Sequence, residues 1–324
     1  MKKIYIEPNY VYHNTKKSND EMANRTHTKH KKKLSKSKFI RKITCIDAPE
    51  YFSLVENTVE TQLFFSRIFD NIHKREFFIN LKPVTKLTIE TVLYLVTIMA
   101  NTKGCLIHGN APNDLEMKKI FLDSGFYKYV NSTYHHNETG SFVSIKSGTL
   151  VQSEVVGEII NFARQKLSLT NKKMTRDIYT TLMELMINVK EHASRNQKLQ
   201  EWWLVAYYNE KNQCVSFSML DRGRGIPTTI KKKFKDLFNL SDTQLLISTL
   251  LGEQRSETAL PYRGKGLPKI YEYVLDNKVK NLYIISNNGF FSSEKIKECI
   301  DLETPFVGTL VSWDFIPEVI DENN

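Results

Sequence analysis

Apolar and polar positions along the chain alternate between two periods from residue 43 onward. Ile43-Thr44-Cys45-Ile46 predicts a short strand, and a helical stretch follows from about Tyr51 to Ile72. Phe77-Phe78-Ile79-Asn80-Leu81 predicts a buried strand ended by Pro83. Thr88 is placed to cap a helix whose Val92, Leu95, Val96 and Met99 share one face. Cys105 to His108 predicts a further strand, closed by Gly109-Asn110-Ala111-Pro112. Asn113 or Asp114 then caps a helix through Ile120 and Leu122 that stops at Gly125. Strands and helices in alternation predict a small α/β unit with at least partly parallel strands.

A linker is expected around Lys146 to Thr149. Beyond it, Ser153 is placed to cap a helix carrying Val156, Ile159, Ile160, Phe162 and Ala163, and a second helix runs from Asn171 to about Ala193. Trp202 to Tyr208 and Cys214 to Leu220 read as a hairpin joined across Asn209 to Asn212. A long helical and loop segment spans Thr228 to Tyr262, a helix begins near Lys265, and Leu282 to Ser286 and Thr309 to Phe315 are two more strands. The fold class is therefore α/β (α+β), divided into a tail over 1–42, one domain over 43–148, a second over 149–318 and a short tail over 319–324. At roughly 100–200 residues per domain, a chain of 324 residues fits two.

Charge changes this picture at one place. The formal net charge is +10, and residues 1–42 hold 13 Lys or Arg against Glu7, Asp20 and Glu21, so the whole excess sits in the tail. The remaining body has 33 basic and 33 acidic residues. A segment such as Thr26 to Lys42 is too polar to bury a core alone. A solvated tail is one reading, and contact with nucleic acid, an acidic partner or anionic lipid is the other. Cys45, Cys105, Cys214 and Cys299 form no CxxC pair, which argues against zinc and fits a reduced, cytoplasmic compartment. Apolar runs such as Val92 to Ala100 fall short of the ~20 residues needed to span a bilayer, and no secretory signal opens the chain.

Four places in the second half carry candidate chemistry. Glu184, Asn188 and His192 are spaced i, i+4, i+8 on one helical face, beside the apolar face of Leu182, Leu185, Met186, Val189 and Ala193. A carboxylate and an amide one turn apart suit a water and an oxygen-bound divalent cation, and an ordinary polar helix face is the plainer meaning. Asp221-Arg222-Gly223-Arg224-Gly225 follows a strand, where a carboxylate can accept from an exocyclic amine and two glycines let the backbone approach a flat ring. Arg263-Gly264-Lys265-Gly266-Leu267 enters a helix, a position that favours phosphate, although the P-loop spacing is absent. Gly308-Thr309 opens the last strand, where the hydroxyl can meet a base or a water.

Taken in order, the Glu-x-x-x-Asn helix, DxGxG turn, lid-like segment, GxGL helix start and GT strand resemble the nucleotide-binding elements of the GHKL (Bergerat-fold) superfamily over about Ser153 to Ile316. The resemblance implies a helices-on-one-face sandwich over a mixed, largely antiparallel sheet. It implies that Asn188 and His192 belong to an ATP site, with Asn188 binding Mg²⁺ and the phosphates, and that Asp221 holds the adenine amine. It further implies that Gly223 and Gly225 pass beneath the base, that Gly264, Lys265, Gly266 and Leu267 line the triphosphate, that Thr309 helps bind the base, and that Glu184 activates the attacking group. Thr228 to Tyr262 would be the ATP lid, with Lys231, Lys232, Lys233 or Lys235 meeting the γ-phosphate. Asn188-x-x-Glu191-His192 is more like the anti-sigma-factor serine kinase branch than the sensor histidine kinases. The first half, Ile43 to Val143, resembles a STAS-like domain, but the family's phosphorylatable hydroxyl falls here on Ile89, with Thr88 and Thr91 close by.

The expected function is a Mg-ATP-binding slow ATPase that switches conformation as its lid closes. A serine/threonine kinase of the anti-sigma type and a non-catalytic nucleotide-gated module using the basic tail are the alternatives. The cofactors expected are ATP and Mg²⁺. The partner protein and a homodimer are left open.

Overall fold

The computed structural model describes residues 5–6, 43–132, 140–192, 201–252, 266–296 and 299–316. Its first half alternates strand and helix as the sequence pattern predicts. In chain order it contains β1 (Tyr5–Ile6), β2 (Thr44–Asp47), β3 (Tyr51–Phe52), α1 (Thr58–Asn71), β4 (Glu76–Asn80), β5 (Lys86–Leu87), α2 (Ile89–Asn101), β6 (Leu106–Gly109), α3 (Leu115–Asp123) and β7 (Asn131–Ser132). Strands β2, β4 and β6 form a parallel sheet in that order, with α1 and α2 as its crossovers. Asp114 caps α3 by accepting the Met117 N–H at 2.9 Å, and Gly125, at φ 80°, ends the turn that follows.

Three details depart from expectation. The helix expected from Tyr51 starts only at Thr58, because β3 pairs with β5 and the Ser53 hydroxyl then accepts the Glu56 N–H at 3.0 Å, folding the chain into a turn first. Thr88 occupies the N-cap of α2, but its hydroxyl meets Ser53 Oγ at 2.8 Å and the Glu90 carboxylate instead of a helix N–H. Tyr5–Ile6, inside the expected free tail, pairs in parallel with β7; the rest of residues 1–42 lies outside the described residues.

The second half comprises β8 (Phe142–Gly148), α4 (Ser153–Leu167), α5 (Lys172–His192), β9 (Trp202–Asn209), β10 (Cys214–Asp221), α6 (Ile226–Lys233), α7 (Asp242–Leu250), α8 (Gly266–Leu275), β11 (Val279–Ser292) and β12 (Asp301–Phe315). The strands form one sheet in the order β11-β12-β10-β9-β8, and every pairing is antiparallel, in keeping with the largely antiparallel sheet expected. The predicted β9–β10 hairpin is present. The expected linker at Lys146 to Thr149 is mostly strand: β8 pairs with β9 as an edge, and Ile145 N–H also donates to Ser124 O at 2.9 Å, tying it to the first half.

The two halves share this sheet. Trp202, Leu204, Phe217, Met219, Ile284, Val311 and Trp313 point to one face, against α4, α5 and α8. Trp203, Val205, Leu220, Tyr283, Ile285 and Leu310 point to the other and merge with the core of the first half. Helix α2 packs on β9 and β10 from that side. Every residue from Ile89 to Met99 is buried, which a helix needs when it is covered all round. The result is a layered α/β body in which α2 lies between two sheets.

The surroundings of α2 also decide the place of the hydroxyl groups near Ile89. Thr91 is fully buried and its hydroxyl accepts the Leu54 N–H at 2.8 Å, while Ile89 is buried too. No helix among the described residues is long and apolar enough to cross a membrane.

Candidate functional site

Helix α5 is built by its apolar stripe. Met174, Ile178, Leu182, Leu185, Met186 and Val189 are buried against the sheet, and Asn171 starts the helix by accepting the Lys173 and Met174 N–H groups at 2.9 and 3.1 Å. The stripe leaves Glu184 and Asn188 at its border, both half-buried and about 6 Å apart along the axis by helical rise. His192 is the last residue of α5.

Gly266, which opens α8, rests on Glu184. A Cβ added to Gly266 would stand 3.1 Å from Glu184 Oε2 and 3.3 Å from its Cβ. A side chain there would press on the carboxylate, so glycine brings the start of α8 directly against α5. The next residue, Leu267, differs from its expected role: its side chain is 7% exposed and enters the apolar layer with Ile270, so only its main chain is available to a ligand. Arg263, Gly264 and Lys265 lie outside the described residues.

The DxGxG turn lies at the end of β10. Strand register sets Asp221 opposite Thr309, and the pairing of β10 with β12 ends there. Asp221 Oδ1 accepts the Gly223 N–H at 2.6 Å, which fixes the carboxylate's orientation. Gly308, at φ 108°, lies flat on this strand end: a Cβ would stand 2.7 Å from the Asp221 carbonyl carbon and 2.8 Å from Arg222 Cα. Gly225 has φ 87° and ψ 156°, a region open essentially to glycine alone.

Two residues absent from the sequence expectations hold this turn. Asn287 on β11 donates to Arg224 O at 2.9 Å, and its Oδ1 accepts the Thr228 N–H at 3.1 Å and hydroxyl at 2.9 Å. A Cβ on Gly225 would come within 2.6 Å of the Asn287 amide carbon. Ser286, fully buried, accepts the Ile226 N–H at 2.9 Å and shares a 3.0 Å bond with the Thr309 hydroxyl. Thr309 is itself 9% exposed, so its hydroxyl belongs to a buried pair. The signal was Ser286-Asn287-Asn288-Gly289, a polar run inside an apolar strand. It reads as the strand's end, whereas β11 continues through it with register shifts on either side of Asn287.

The lid expectation needs correction over its first part. Helix α7 is not a loose flap, since Leu245, Leu246 and Leu250 are buried. Its N-terminus has a Ser241–Gln244 capping box and receives the Asp301 carboxylate on the Asp242 and Thr243 N–H groups at 3.2 and 2.8 Å. Burial opposes ionisation of Asp301, but these donors outweigh it and hold the carboxyl below the usual carboxylate range. Lys231 pairs with Asp242 at 2.8 Å and is committed there, while Lys232 and Lys233 are exposed. Residues 253–262 lie outside the described residues.

The structure thus gathers Asp221, Gly223, Gly225 and Thr309 around one strand end, and Glu184 and Asn188 along α5, with Gly266 of α8 against Glu184. The first group supplies a fixed carboxylate at a strand end where Gly225 packs on Asn287 and Gly308 on the Asp221 main chain, and the second a carboxylate and an amide one turn apart. No protein-family model matches the chain, and no curated protein matches its sequence.

Proposed function

We propose that the half of the chain from β8 to β12 binds Mg-ATP and hydrolyses it slowly, as a nucleotide-dependent switch. The observation that carries this reading is the register that sets Asp221 against Thr309, with the Asp221 carboxylate oriented by the Gly223 N–H at 2.6 Å. Adenine suits such a place, because its exocyclic amine needs an oriented carboxylate to accept its hydrogen bond.

The residues present also fit a metal-bound triphosphate. Asn188 would hold Mg²⁺ through its amide oxygen, and the main-chain N–H groups at the start of α8 would meet phosphate oxygens. Bound there, the cation would neutralise charge on the phosphates. Glu184, one turn before Asn188 and pressed by Gly266, would orient a water and take its proton.

The test follows the γ-phosphate of labelled ATP on the full chain with Mg²⁺. Binding with slow release of inorganic phosphate is expected, and Glu184→Ala should bind ATP without releasing it. Labelled protein would convert the reading to serine/threonine kinase, and absence of ATP binding would overturn it.

A further inference from the structure

Helices α5 and α8 meet at two places. Gly266 abuts Glu184, and seven residues further along α8 the Tyr273 hydroxyl donates to Asp177 Oδ2. Asp177 lies seven residues before Glu184, so the two contacts step equally along both helices in opposite directions. The helices are therefore antiparallel at this seam, and the contacts stand two turns, about 10 Å, apart. One contact is at the end proposed to meet phosphate, and the other is remote from it.

Tyr273 is held on several sides. It is 6% exposed, and its ring meets Phe315 of β12 edge-on with centroids 6.0 Å apart. Lys269, one turn earlier on α8, brings Nζ to 5.2 Å from the Tyr273 ring centroid and to 4.0 Å from Asp177 Oδ2. Leu267 and Ile270 also anchor α8, in the apolar layer, but contacts of that kind are non-directional and tolerate a slide along the seam. A hydroxyl bonded to one carboxylate is directional, so it fixes where α8 stops along α5 and how far it turns about its axis. Because α8 is unbroken from Gly266 to Leu275, a shift at Tyr273 is carried to its first turn. One residue of slide is ~1.5 Å, enough to take a main-chain N–H out of hydrogen-bond reach of a phosphate oxygen.

We propose that Tyr273 is a positioning residue of the phosphate end, acting with Asp177 as a stop that sets the start of α8 against Glu184 and Asn188. This rests on the ATP reading above. Tyr273 acts through α8 from two turns away, keeping the Gly266 and Leu267 N–H groups at the height the phosphates need. The base end, at Asp221 and Thr309, is built on β10 and β12 instead. Affinity for phosphate and affinity for the base are then separable.

Tyr273→Phe tests this, because it keeps the ring against Phe315 and removes only the hydroxyl. Asp177→Ala removes the acceptor from a side chain that is 20% exposed, and serves if Tyr273→Phe does not fold. Asp177→Asn keeps an oxygen that can accept. Affinities of the full chain for Mg-ATP, Mg-tripolyphosphate and adenosine are measured. Tyr273→Phe and Asp177→Ala should each weaken ATP and tripolyphosphate roughly tenfold, about 1.4 kcal/mol, and leave adenosine within twofold. Asp177→Asn should recover most of what Asp177→Ala loses. ATP and tripolyphosphate affinities held within twofold in either folded variant would overturn the proposal. An equal fall for adenosine would also overturn it, since that marks a merely structural role, as would Asp177→Asn binding no better than Asp177→Ala. If the wild-type chain binds no ATP, the ATP reading itself fails before any variant is compared, and this proposal falls with it.

Discussion

Gly225 and Asn287 form a pair whose energetics can be worked out in advance. Gly225→Ala meets two costs. Its backbone, at φ 87° and ψ 156°, sits where an L-residue costs about 1–3 kcal/mol. Its new methyl group overlaps the Asn287 amide, which must leave and give up its bonds to Arg224 O, Thr228 N–H and the Thr228 hydroxyl. At about 0.5–1.5 kcal/mol for each bond, the clamp is worth ~3 kcal/mol, and the single substitution should cost ~5 kcal/mol. Asn287→Ala alone loses only the clamp, ~3 kcal/mol. The double variant pays the strain once and loses the clamp once, so it should be about as unstable as Gly225→Ala alone. The coupling, ~3 kcal/mol, is far outside the ~0.5 kcal/mol expected of independent sites. Urea denaturation of the four proteins, followed by tryptophan fluorescence and far-ultraviolet circular dichroism together, measures it. Additivity within ~0.5 kcal/mol would refute the claim that Asn287 holds the turn through the space Gly225 leaves.

Further outcomes follow from other parts of the body. Gly308→Ala places a methyl group into the Asp221 main chain, which no side-chain movement relieves, so soluble yield and ATP binding should both collapse; a folded variant with wild-type affinity would contradict the close approach. Burial raises the carboxyl of Glu90 from 4.5 to about 7, against the Thr88, backbone and Thr91 hydrogen bonds that favour its charge, with Asp314 raising it further. The folded state then binds the extra proton between these values. Stability contributed by Glu90 is full below pH ~4.5 and is lost as pH rises through ~7, at most ~3 kcal/mol in all. Glu90→Gln should flatten the pH 5–8 stability profile, and an unchanged slope would dismiss the buried carboxyl as its source. Removing residues 1–42 should leave nucleotide affinity intact and abolish any salt-sensitive binding to nucleic acid or acidic partners, read by titration at two ionic strengths.

Much of the architecture was legible because periodicity and caps agree locally. The parallel β2-β4-β6 unit, the β9–β10 hairpin and the start of α8 all follow from apolar runs bounded by Gly, Pro, Asn or Asp. The position of α2 was only half legible. Val92, Leu95, Val96 and Met99 mark one face, but Leu93, Tyr94 and Ile98 supply a second, and a helix apolar all round belongs between layers. Long-range packing hid the rest. Nothing local in Phe142–Gly148 distinguishes a linker from an edge strand until β9 is there to pair with it. Ser286 and Asn287 escaped for the same reason, since a polar pair within a strand gains meaning only when the DRGRG turn folds over it. The lid was over-extended because Leu245, Leu246 and Leu250 become anchors only once the core they enter exists.

Calorimetric titration of the full chain with Mg-ATP, alongside Asp221→Asn and Asn188→Ala, tests the nucleotide site most directly. One ATP per chain is expected, with binding weakened at least tenfold by either substitution and by removal of Mg²⁺ for the wild type. Binding that is absent in the wild type, or that is indifferent to both Asp221 and Asn188, would contradict the account.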